Sequence, residues 1–232
     1  MQRIVILNPK GGSGKTTIAT NLAASYAAAG EFPALIDLDP QGSSTRWLAK
    51  RTLDQAPIHG IAAFQRPPGV TRSWQMRVPP ECSAVIVDTP AAVNAQIMPE
   101  LTRGADAILV PVMPSDIDIH AAAKCVTDLL LVAKVRRADD RIGIIANRVR
   151  SNTLISKSLT RFLSTLEIPL VATLRDTQNY VRSAEIGLGL HEMPLWRVRE
   201  DLEEWDRIAT WLRRRAAEPV QPVASQVASP FA

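Results

Sequence analysis

Short apolar runs alternate with longer segments of helical periodicity along most of the chain. Continuous stretches of Ile, Val, Leu and Ala bounded by turn residues predict strands that are covered by helices on both faces. Strand–helix alternation is typical of βαβ units, so we predict a doubly wound α/β fold with a mostly parallel, twisted sheet. The predicted strands are Arg3–Leu7, Pro33–Leu38, Ala84–Asp88, Ala107–Val112 and Ile142–Asn147, and the predicted helices are Lys15–Ala29, Ile117–Val135, Thr153–Leu166, Asn179–Gly187 and Glu200–Arg215.

Two stretches interrupt this alternation. Residues 50–80 contain five prolines and show no clear period, so we interpret them as a surface excursion between the second and third core strands. The residues from 216 onward are rich in Pro, Ala, Ser, Val and Gln, a composition that predicts disorder. The simplest organisation is one domain over residues 1–215 followed by a disordered tail over 216–232.

Composition narrows the class of protein only a little. The 232 residues are enough to bury a sizeable core, and 46% hydrophobic and 22% charged residues are typical of a globular protein. The net charge of +4 fits either an ordinary solvated surface or a footprint for nucleic acid or an acidic membrane. Cys82 and Cys125 are too few for a disulfide framework, and no leader or apolar span is visible, so we expect a cytoplasmic protein with reduced thiols.

A glycine-rich segment follows the first predicted strand and opens the first helix. Its sequence is Lys10-Gly11-Gly12-Ser13-Gly14-Lys15-Thr16-Thr17. Glycines allow successive backbone N–H groups to point into one concavity, and the helix directs its positive end at the same place. Lys15 then reaches the β- and γ-phosphates, and the Thr16 hydroxyl coordinates Mg²⁺. We predict nucleotide binding by Gly11, Gly12, Ser13, Gly14, Lys15, Thr16 and Thr17.

A dinucleotide site is the main alternative for this loop. Gly12 and Gly14 have part of the required spacing, and Asp37 or Asp39 follows at a suitable distance. The third glycine is missing, however, and Lys15 would crowd the approach of the pyrophosphate. We therefore reject that alternative.

Two aspartates come at or just after the ends of predicted strands, where ligands of doubly wound folds bind. Asp88 ends a buried strand and is a candidate to hold Mg²⁺ through its water shell, although a helix-capping or loop role is also open. Asp39 is a candidate to orient or deprotonate the attacking water. The predicted metal set is Thr16, Asp39 and Asp88, and the residue-based catalytic candidates are Lys15 and Asp39.

The loop departs from the ordinary P-loop in an informative way. Pro9 stands where that motif has glycine, and Lys10 adds a second lysine. The pattern Lys-Gly-Gly-x-Gly-Lys-Thr-Thr resembles the deviant Walker A motif of the ParA/MinD superfamily of P-loop NTPases, and the chain is most similar to small ParF-like ParA proteins. Three further segments resemble family motifs in the expected order: Leu35–Gly42 for switch I, Val85–Pro90 for Walker B and switch II, and Asn147–Val149 for adenine recognition.

The resemblance implies more than the residues do. It implies an ATPase with ATP and Mg²⁺ as cofactors, weak unless a partner stimulates it, in which Asn147 reads the adenine edge. It implies a homodimer with ATP sandwiched at its interface, where Lys10 acts catalytically by reaching the partner's phosphates. It also implies nonspecific DNA binding, nucleoid association, and a ParB-like or cargo-adaptor partner that triggers release, so that a plasmid, chromosome region or protein assembly is positioned.

Surface arginines are the candidates for DNA contact, although each one is equally explained as a solvated charge. Two competing functions also stay open: a metabolic enzyme of the amidoligase type and a nucleotide-locked scaffold. The DNA candidates are Arg175, Arg182, Arg197, Arg199 and the run Arg213-Arg214-Arg215.

A MinD-like membrane-recruited regulator is the third competitor, and the last helix bears on it. Leu202, Trp205, Ile208 and Leu212 form an apolar stripe, which fits either packing on the core or membrane docking. The helix as predicted opens with acidic residues that acidic lipids would repel, so we favour packing on the core. These acidic residues are Asp201, Glu203, Glu204 and Asp206.

Overall fold

The computed structural model describes residues 1–65, 68–150 and 167–217. Within these ranges seven strands form one sheet: β1 (Gln2–Ile6), β2 (Pro33–Asp37), β3 (His59–Ala62), β4 (Ala84–Asp88), β5 (Ala107–Val112), β6 (Ile142–Val149) and β7 (Leu170–Arg175). The helices are α1 (Lys15–Ala28), α2 (Ser43–Leu48), α3 (Arg72–Gln75), α4 (Met98–Leu101), α5 (Asp116–Leu131), α6 (Asn179–Glu185) and α7 (Leu195–Ala217), with short 3₁₀ turns at Ala95–Ile97, Arg137–Asp139 and Leu190–Glu192.

The sheet confirms the predicted fold class. Its order is β3-β2-β4-β1-β5-β6-β7, and every pairing between neighbours is parallel. The first strand lies between β4 and β5, so the chain builds the sheet outward on both sides of β1. Ligands of doubly wound sheets bind at such a switch point, beyond the carboxyl ends of the strands. The glycine-rich loop leaves β1 at this edge.

Two hydrophobic clusters cover opposite faces of the sheet. Alternating residues of β1 divide between them, because successive side chains of a strand point to opposite faces. Ile4 and Ile6 pack with α1 and α7, whereas Val5 lies on the face that α5 covers. Both free cysteines are buried, and burial raises the pKa of the Cys125 thiol to about 12. These thiols are therefore packing residues of the core.

Two edge strands were absent from the sequence prediction. Strand β3 lies inside the segment interpreted as an irregular excursion, and it pairs in register with β2 from Ala34 opposite His59 to Asp37 opposite Ala62. It is only four residues long and half-exposed, so it has no apolar run. Strand β7 carries apolar residues but was too close to the predicted helices to stand out. The helix predicted at 153–166 and most of the predicted tail lie outside the described residues.

The last helix begins earlier than the sequence suggested. It starts at Leu195 instead of Glu200, and its stripe packs on the core as expected, with Trp205, Ile208 and Leu212 buried. Packing also engages two of its acidic residues, Asp201 and Glu204.

Two of the four acidic residues at the predicted helix start are therefore engaged by the domain, whereas Glu203 and Asp206 stay exposed. The Asp201 carboxylate is fully buried and accepts from Nε of Arg175 at 2.5 Å. Glu204 accepts from the backbone N–H of Thr173 at 2.7 Å, which covers part of the edge of β7. Asp201 is therefore paired inside the domain, and Glu204, whose side chain is 22% exposed, is engaged by the backbone of β7.

Candidate nucleotide-binding site

The glycine-rich loop adopts the conformation that its sequence predicts. Gly12 and Gly14 have φ values of 78° and 94°, a left-handed region in which side chains are rare. The carbonyl of Pro9 accepts from the N–H of Ala92 at 2.7 Å, and the Asn8 side chain accepts from the N–H of Lys10 at 2.9 Å. The loop is thus tied to the segment that follows β4 and by a bond between its own residues, and it leads into α1.

Lys15 lies inside the concavity that the loop forms. Its Nζ donates to the carbonyl of Lys10 at 3.2 Å, and only 6% of the residue is exposed. Burial lowers the pKa of this ammonium, while the nearby carboxylates of Asp88 and Asp39 oppose that shift. A buried cation next to N–H groups of a helix start is suited to an anionic phosphate, which would compensate its burial.

Asp88 ends β4 directly beside the first residues of α1. One carboxylate oxygen, Oδ2, accepts from the hydroxyls of Thr16 at 2.8 Å and Ser44 at 2.7 Å. The other oxygen, Oδ1, is buried and has no hydrogen-bond partner among the described residues. The pKa of Asp88 is raised to about 6, chiefly by burial and also by the nearby Asp37, while the two hydroxyls and Lys15 oppose the shift.

The residues present fit a magnesium ion. Mg²⁺ keeps several waters and binds through one or two carboxylates plus phosphate oxygens. Asp88 offers a free buried oxygen, and the Thr16 hydroxyl can offer a lone pair to the metal while its hydrogen still bonds to Asp88. Ser13 contributes a second buried side-chain oxygen that lacks a partner within the described part of the chain.

Asp39 lies in the turn between β2 and α2. The buried Asp37 accepts hydrogen bonds from residues on both sides of this turn. Oδ1 of Asp37 accepts from the N–H of Asp39 at 3.1 Å, and Oδ2 accepts from the N–H and the hydroxyl of Thr45 at 2.8 and 2.9 Å. Asp39 itself is half-exposed, and its carboxylate accepts from the N–H of Gln41. The Asp39 carboxylate therefore has solvent access in a turn of fixed shape.

Asn147 lies directly against the phosphate loop. Its Nδ2 donates to the carbonyl of Ser13 at 2.9 Å, and a Cβ added to Gly14 would come within 2.0 Å of the same nitrogen. Only glycine fits at this position. A cavity of about 350 Å³ opens beside the loop, and Asn147 and Val181 line it. Adenine recognition by Asn147 stays a prediction, while the contact with the loop is a second role that sequence reasoning missed.

The two lysines of the loop have different partners, and that of Lys10 is on α5. Its Nζ lies 3.0 Å from a carboxylate oxygen of Asp118 in the first turn of α5. That helix is capped by Ser115, whose hydroxyl accepts from the N–H of Asp118. Within a single chain, the second lysine of the loop is therefore held by an ion pair.

The candidate arginines divide into separate groups. Arg182, Arg197 and Arg199 are exposed on α6 and the first turns of α7. Arg175 pairs with Asp201 and Glu200, which raises its pKa. Arg213 is exposed at the far end of α7.

Arg215 is buried and is therefore not a candidate for DNA contact. Its guanidinium donates to the carbonyl of Asp140 at 2.6 Å and lies 3.7 Å from the centre of the Trp211 ring. These contacts hold the last turn of α7 against the domain, so Arg215 has a packing role.

Membrane-spanning helices and clustered metal ligands are both absent from the described ranges. No helix there is both long and apolar enough to cross a bilayer. No group of three or more His, Cys, Asp and Glu side chains there is arranged to hold a metal ion. A metal proposal at this edge of the sheet therefore depends on Thr16, Asp88 and the phosphates of a bound nucleotide.

The fold and the loop define a P-loop nucleotide-binding protein. Comparison with known proteins agrees, because the family described as the CobQ/CobB/MinD/ParA nucleotide binding domain matches residues 4–190. The chain belongs to this ParA/MinD family.

Individual relatives extend the comparison. The chain is 31% identical over 218 residues to the maintenance of carboxysome distribution protein A of Gloeobacter kilaueensis, covering 91% of this chain and 94% of that protein. It is also 31% identical over 146 residues to the chromosome partitioning protein ParA of Caulobacter vibrioides, covering 47% and 54% of the two chains.

Solved structures show the same fold. The MinC:MinD cell division complex of Aquifex aeolicus matches with a TM-score of 0.65 at 18% identity, covering 95% of this chain and 98% of that chain. The apo McdA structure from Cyanothece matches with a TM-score of 0.68 at 16% identity, covering 93% and 99%.

Proposed function

We propose that this protein is a positioning ATPase that binds Mg²⁺-ATP, dimerises around it, holds DNA without sequence preference, and is released by partner-stimulated hydrolysis. One observation carries the proposal: Lys15 is buried in the phosphate loop close to the carboxylates of Asp39 and Asp88, while the second lysine of the loop, Lys10, pairs with Asp118 of α5. Relatives named for carboxysome distribution and chromosome partitioning support a cargo-positioning role.

The site supplies every group that Mg²⁺-ATP binding requires. Backbone N–H groups of the loop and Lys15 would hold the phosphates. Thr16 and the free oxygen of Asp88 would hold Mg²⁺, whose charge offsets the negative charge of the phosphates. The cavity between the loop and α6 has a volume suited to part of a nucleotide, and Asn147 would meet the adenine there.

Hydrolysis is assigned to Asp39. Its carboxylate lies in a turn of fixed shape near Lys15, and it is half-exposed, so a water molecule can reach it. A carboxylate in such a position orients or deprotonates the attacking water. Because the turn is at the surface, a partner protein that presses on it would change the rate, which fits an ATPase that is slow until stimulated.

Dimerisation is assigned to Lys10. Its ammonium pairs with Asp118 in the single chain, and it is one-third exposed, so a second chain can reach it. When two chains meet around ATP, the phosphates would replace Asp118 as the partner of Lys10. Its charge would then stabilise the charge that develops in phosphoryl transfer.

The DNA surface is assigned to Arg182, Arg197 and Arg199. These arginines are exposed on α6 and the start of α7, and other residues of α6 line the cavity beside the phosphate loop. A nucleotide in that cavity would therefore lie next to this surface. Contacts of arginine with phosphates are independent of sequence and weaken steeply with salt.

An acidic membrane surface is the second candidate partner, and one observation favours it. The first turn of α7 exposes Leu195 and Trp196 beside Arg197, whose guanidinium lies 5.0 Å from the Trp196 ring centre. An exposed tryptophan next to arginines suits the headgroup region of a bilayer. Two of the acidic residues that were expected to oppose this, Asp201 and Glu204, are engaged inside the domain.

The proposal is tested with the purified full chain. We expect ATP with Mg²⁺ to shift it from monomer to dimer in sedimentation and to produce retention of unrelated DNA fragments that fades as salt rises. Lys15→Ala is the control and should lose ATP binding, dimer and DNA retention together. Undiminished ATP binding by Lys15→Ala would remove the phosphate-loop assignment. Binding to anionic vesicles without binding to DNA would replace the DNA role by the membrane role.

A further inference from the structure

The first turn of α2 is attached to the ends of two neighbouring strands. Asp37 of β2 and Asp88 of β4 are paired in register, so their carboxylates lie side by side at the carboxyl edge of the sheet. Both are buried. Thr45 donates to Asp37 through its N–H and its hydroxyl, and Ser44 donates to Asp88 through its hydroxyl at 2.7 Å. Two adjacent residues of one helix therefore supply hydrogen bonds to two adjacent carboxylates.

The hydroxyl of Ser44 has one hydrogen to donate, and it is used on Asp88. The side chain is fully buried, so no solvent competes for this bond. The Thr16 hydroxyl, at the start of α1, donates to the same oxygen, Oδ2. With both donors on Oδ2, the other oxygen is left without a partner within the described ranges.

We propose that Ser44 is a positioning residue for magnesium: by holding Oδ2 of Asp88, it fixes the carboxylate so that Oδ1 stays available to the ion and its water shell. Thr16 cannot do this alone, because a single hydrogen bond leaves the carboxylate free to rotate about it. Sequence reasoning found no role for Ser44. The inference rests on the proposed Mg²⁺-ATP site and adds a residue from α2 to it.

The position of Ser44 also connects the metal site to the turn that carries Asp39. Asp37 brackets that turn, accepting from the N–H of Asp39 on one side and of Thr45 on the other. Ser44 comes directly before Thr45, so its bond with Asp88 ties the same helix turn to the metal site. Through Ser44, the orientation of Asp88 and the place of the catalytic turn depend on each other.

The test measures ATP affinity of the full chain twice, once with Mg²⁺ and once with EDTA, for wild type and Ser44→Ala. Affinity in EDTA should be unchanged, because the Ser44 hydroxyl bonds to Asp88 and not to a group that would hold the phosphates. The gain in affinity that Mg²⁺ gives should fall roughly tenfold, the effect expected for losing a hydrogen bond to a charged group. Raising the Mg²⁺ concentration should restore the affinity of the variant.

A matched control and a second variant make the result decisive. Ser43→Ala removes the neighbouring hydroxyl, which bonds to Arg46 at 3.1 Å, and should keep the whole Mg²⁺ gain. Ser44→Cys keeps a side chain of similar shape, slightly larger and with a weaker donor, and should show the same Mg²⁺-specific loss even where Ser44→Ala folds poorly.

Three outcomes overturn the proposal. A full Mg²⁺ gain in Ser44→Ala and Ser44→Cys means that Asp88 is oriented without Ser44. An equal loss with Mg²⁺ and with EDTA means that Ser44 only supports the fold. If wild type itself binds ATP no better with Mg²⁺ than with EDTA, the magnesium assignment fails, and the role of Ser44 fails with it.

Discussion

At the scale of single residues, burial acts on two opposite charges of the site in opposite directions. It raises the pKa of Asp88 to about 6 and lowers the pKa of the Lys15 ammonium. Each residue partly compensates the other, yet both are more costly to charge than they would be in water. Without nucleotide the site is therefore a local source of instability. Magnesium and phosphate each supply the charge that one of these residues lacks.

The raised pKa of Asp88 predicts a pH-dependent stability. The carboxyl binds its proton more tightly in the folded chain than at its ordinary value of 3.8, so its contribution to stability is present below about pH 4 and is lost as pH rises through about 6. Asp88→Asn has no carboxyl group to ionise, so the variant does not lose this stability as pH rises. We expect the variant, without nucleotide or Mg²⁺, to gain about 1–3 kcal/mol in the free energy of unfolding at pH 7.5.

Urea denaturation from pH 4 to pH 8 checks this prediction. The difference between Asp88→Asn and wild type should shrink as pH falls below about 6 and approach zero near pH 4. A difference that stays constant over this range would contradict the raised pKa. The same variant should lose the Mg²⁺-dependent part of ATP affinity, since an amide lacks the charge that the metal needs.

Asp39 carries the prediction for hydrolysis. Asp39→Ala should leave ATP affinity within a fewfold of wild type and lower turnover by about 10²–10⁴-fold, the usual contribution of a general base. Dimers should accumulate because ATP is no longer consumed. Phosphate release and sedimentation measure the two effects. Asp54→Ala removes an exposed aspartate as a control, and wild-type turnover in Asp39→Ala would end the catalytic assignment.

At the scale of elements, three segments meet at a buried polar group near the end of β7. The Asp201 carboxylate of α7 accepts from Arg175 of β7 and from the side chain of Asn179 at the start of α6, the latter at 2.8 Å. Asn179 also donates to the backbone carbonyl of Arg197. This network fixes α6, and with it the residues that α6 contributes to the cavity beside the phosphate loop.

Removing the central acceptor should loosen all three elements. Asp201→Ala leaves a buried amide and a half-exposed guanidinium without their carboxylate, and we expect a loss of about 1–3 kcal/mol in the free energy of unfolding. Glu200→Ala, which removes the exposed partner of the same arginine, should change stability by less than about 0.5 kcal/mol. Urea denaturation at neutral pH compares them, and equal losses would disprove the special role of Asp201.

At the scale of the whole molecule, the length of α7 places two sets of candidate arginines far apart. Arg197 and Arg199 lie at its start, and Arg213 and Arg214 lie at its far end. Its 23 residues extend about 34 Å. The far end lies beside the start of β1, where the Gln2 side chain donates to the carbonyl of Leu212 at 2.8 Å. The phosphate loop leaves the opposite end of β1. Of the arginines on α7, those at its start therefore lie toward the nucleotide site and those at its far end lie away from it.

This separation predicts unequal effects on DNA binding. The triple variant Arg182→Ala, Arg197→Ala, Arg199→Ala should weaken ATP-dependent DNA binding at least tenfold. It should also make the dependence of log affinity on log salt less steep by roughly 0.9 for each DNA phosphate that is no longer neutralised. The double variant Arg213→Ala, Arg214→Ala removes exposed charge at the far end and should have a much smaller effect. Gel retardation across a salt series measures both, and equal effects would refute the assigned surface.

The sequence by itself determined the fold class, the central strands and the phosphate loop. These features depend on neighbours in the chain: apolar runs predict buried parallel strands, and the spacing of glycines and lysines predicts a phosphate-binding turn. The edge strand β3 was missed because it is short and half-exposed, and the start of α7 was missed because Leu195 and Trp196 are exposed and outside the buried stripe.

Only the tertiary structure decided which distant residues share the site. Ser44 has no sequence signal, since its role exists only because α2 packs on the end of β4, 44 positions away along the chain. Asp201 has the sequence context of a solvated charge, and only the packing of α7 against β7 places it beside Arg175. Such pairings depend on how elements pack, and packing brings together side chains whose separation in sequence carries no pattern.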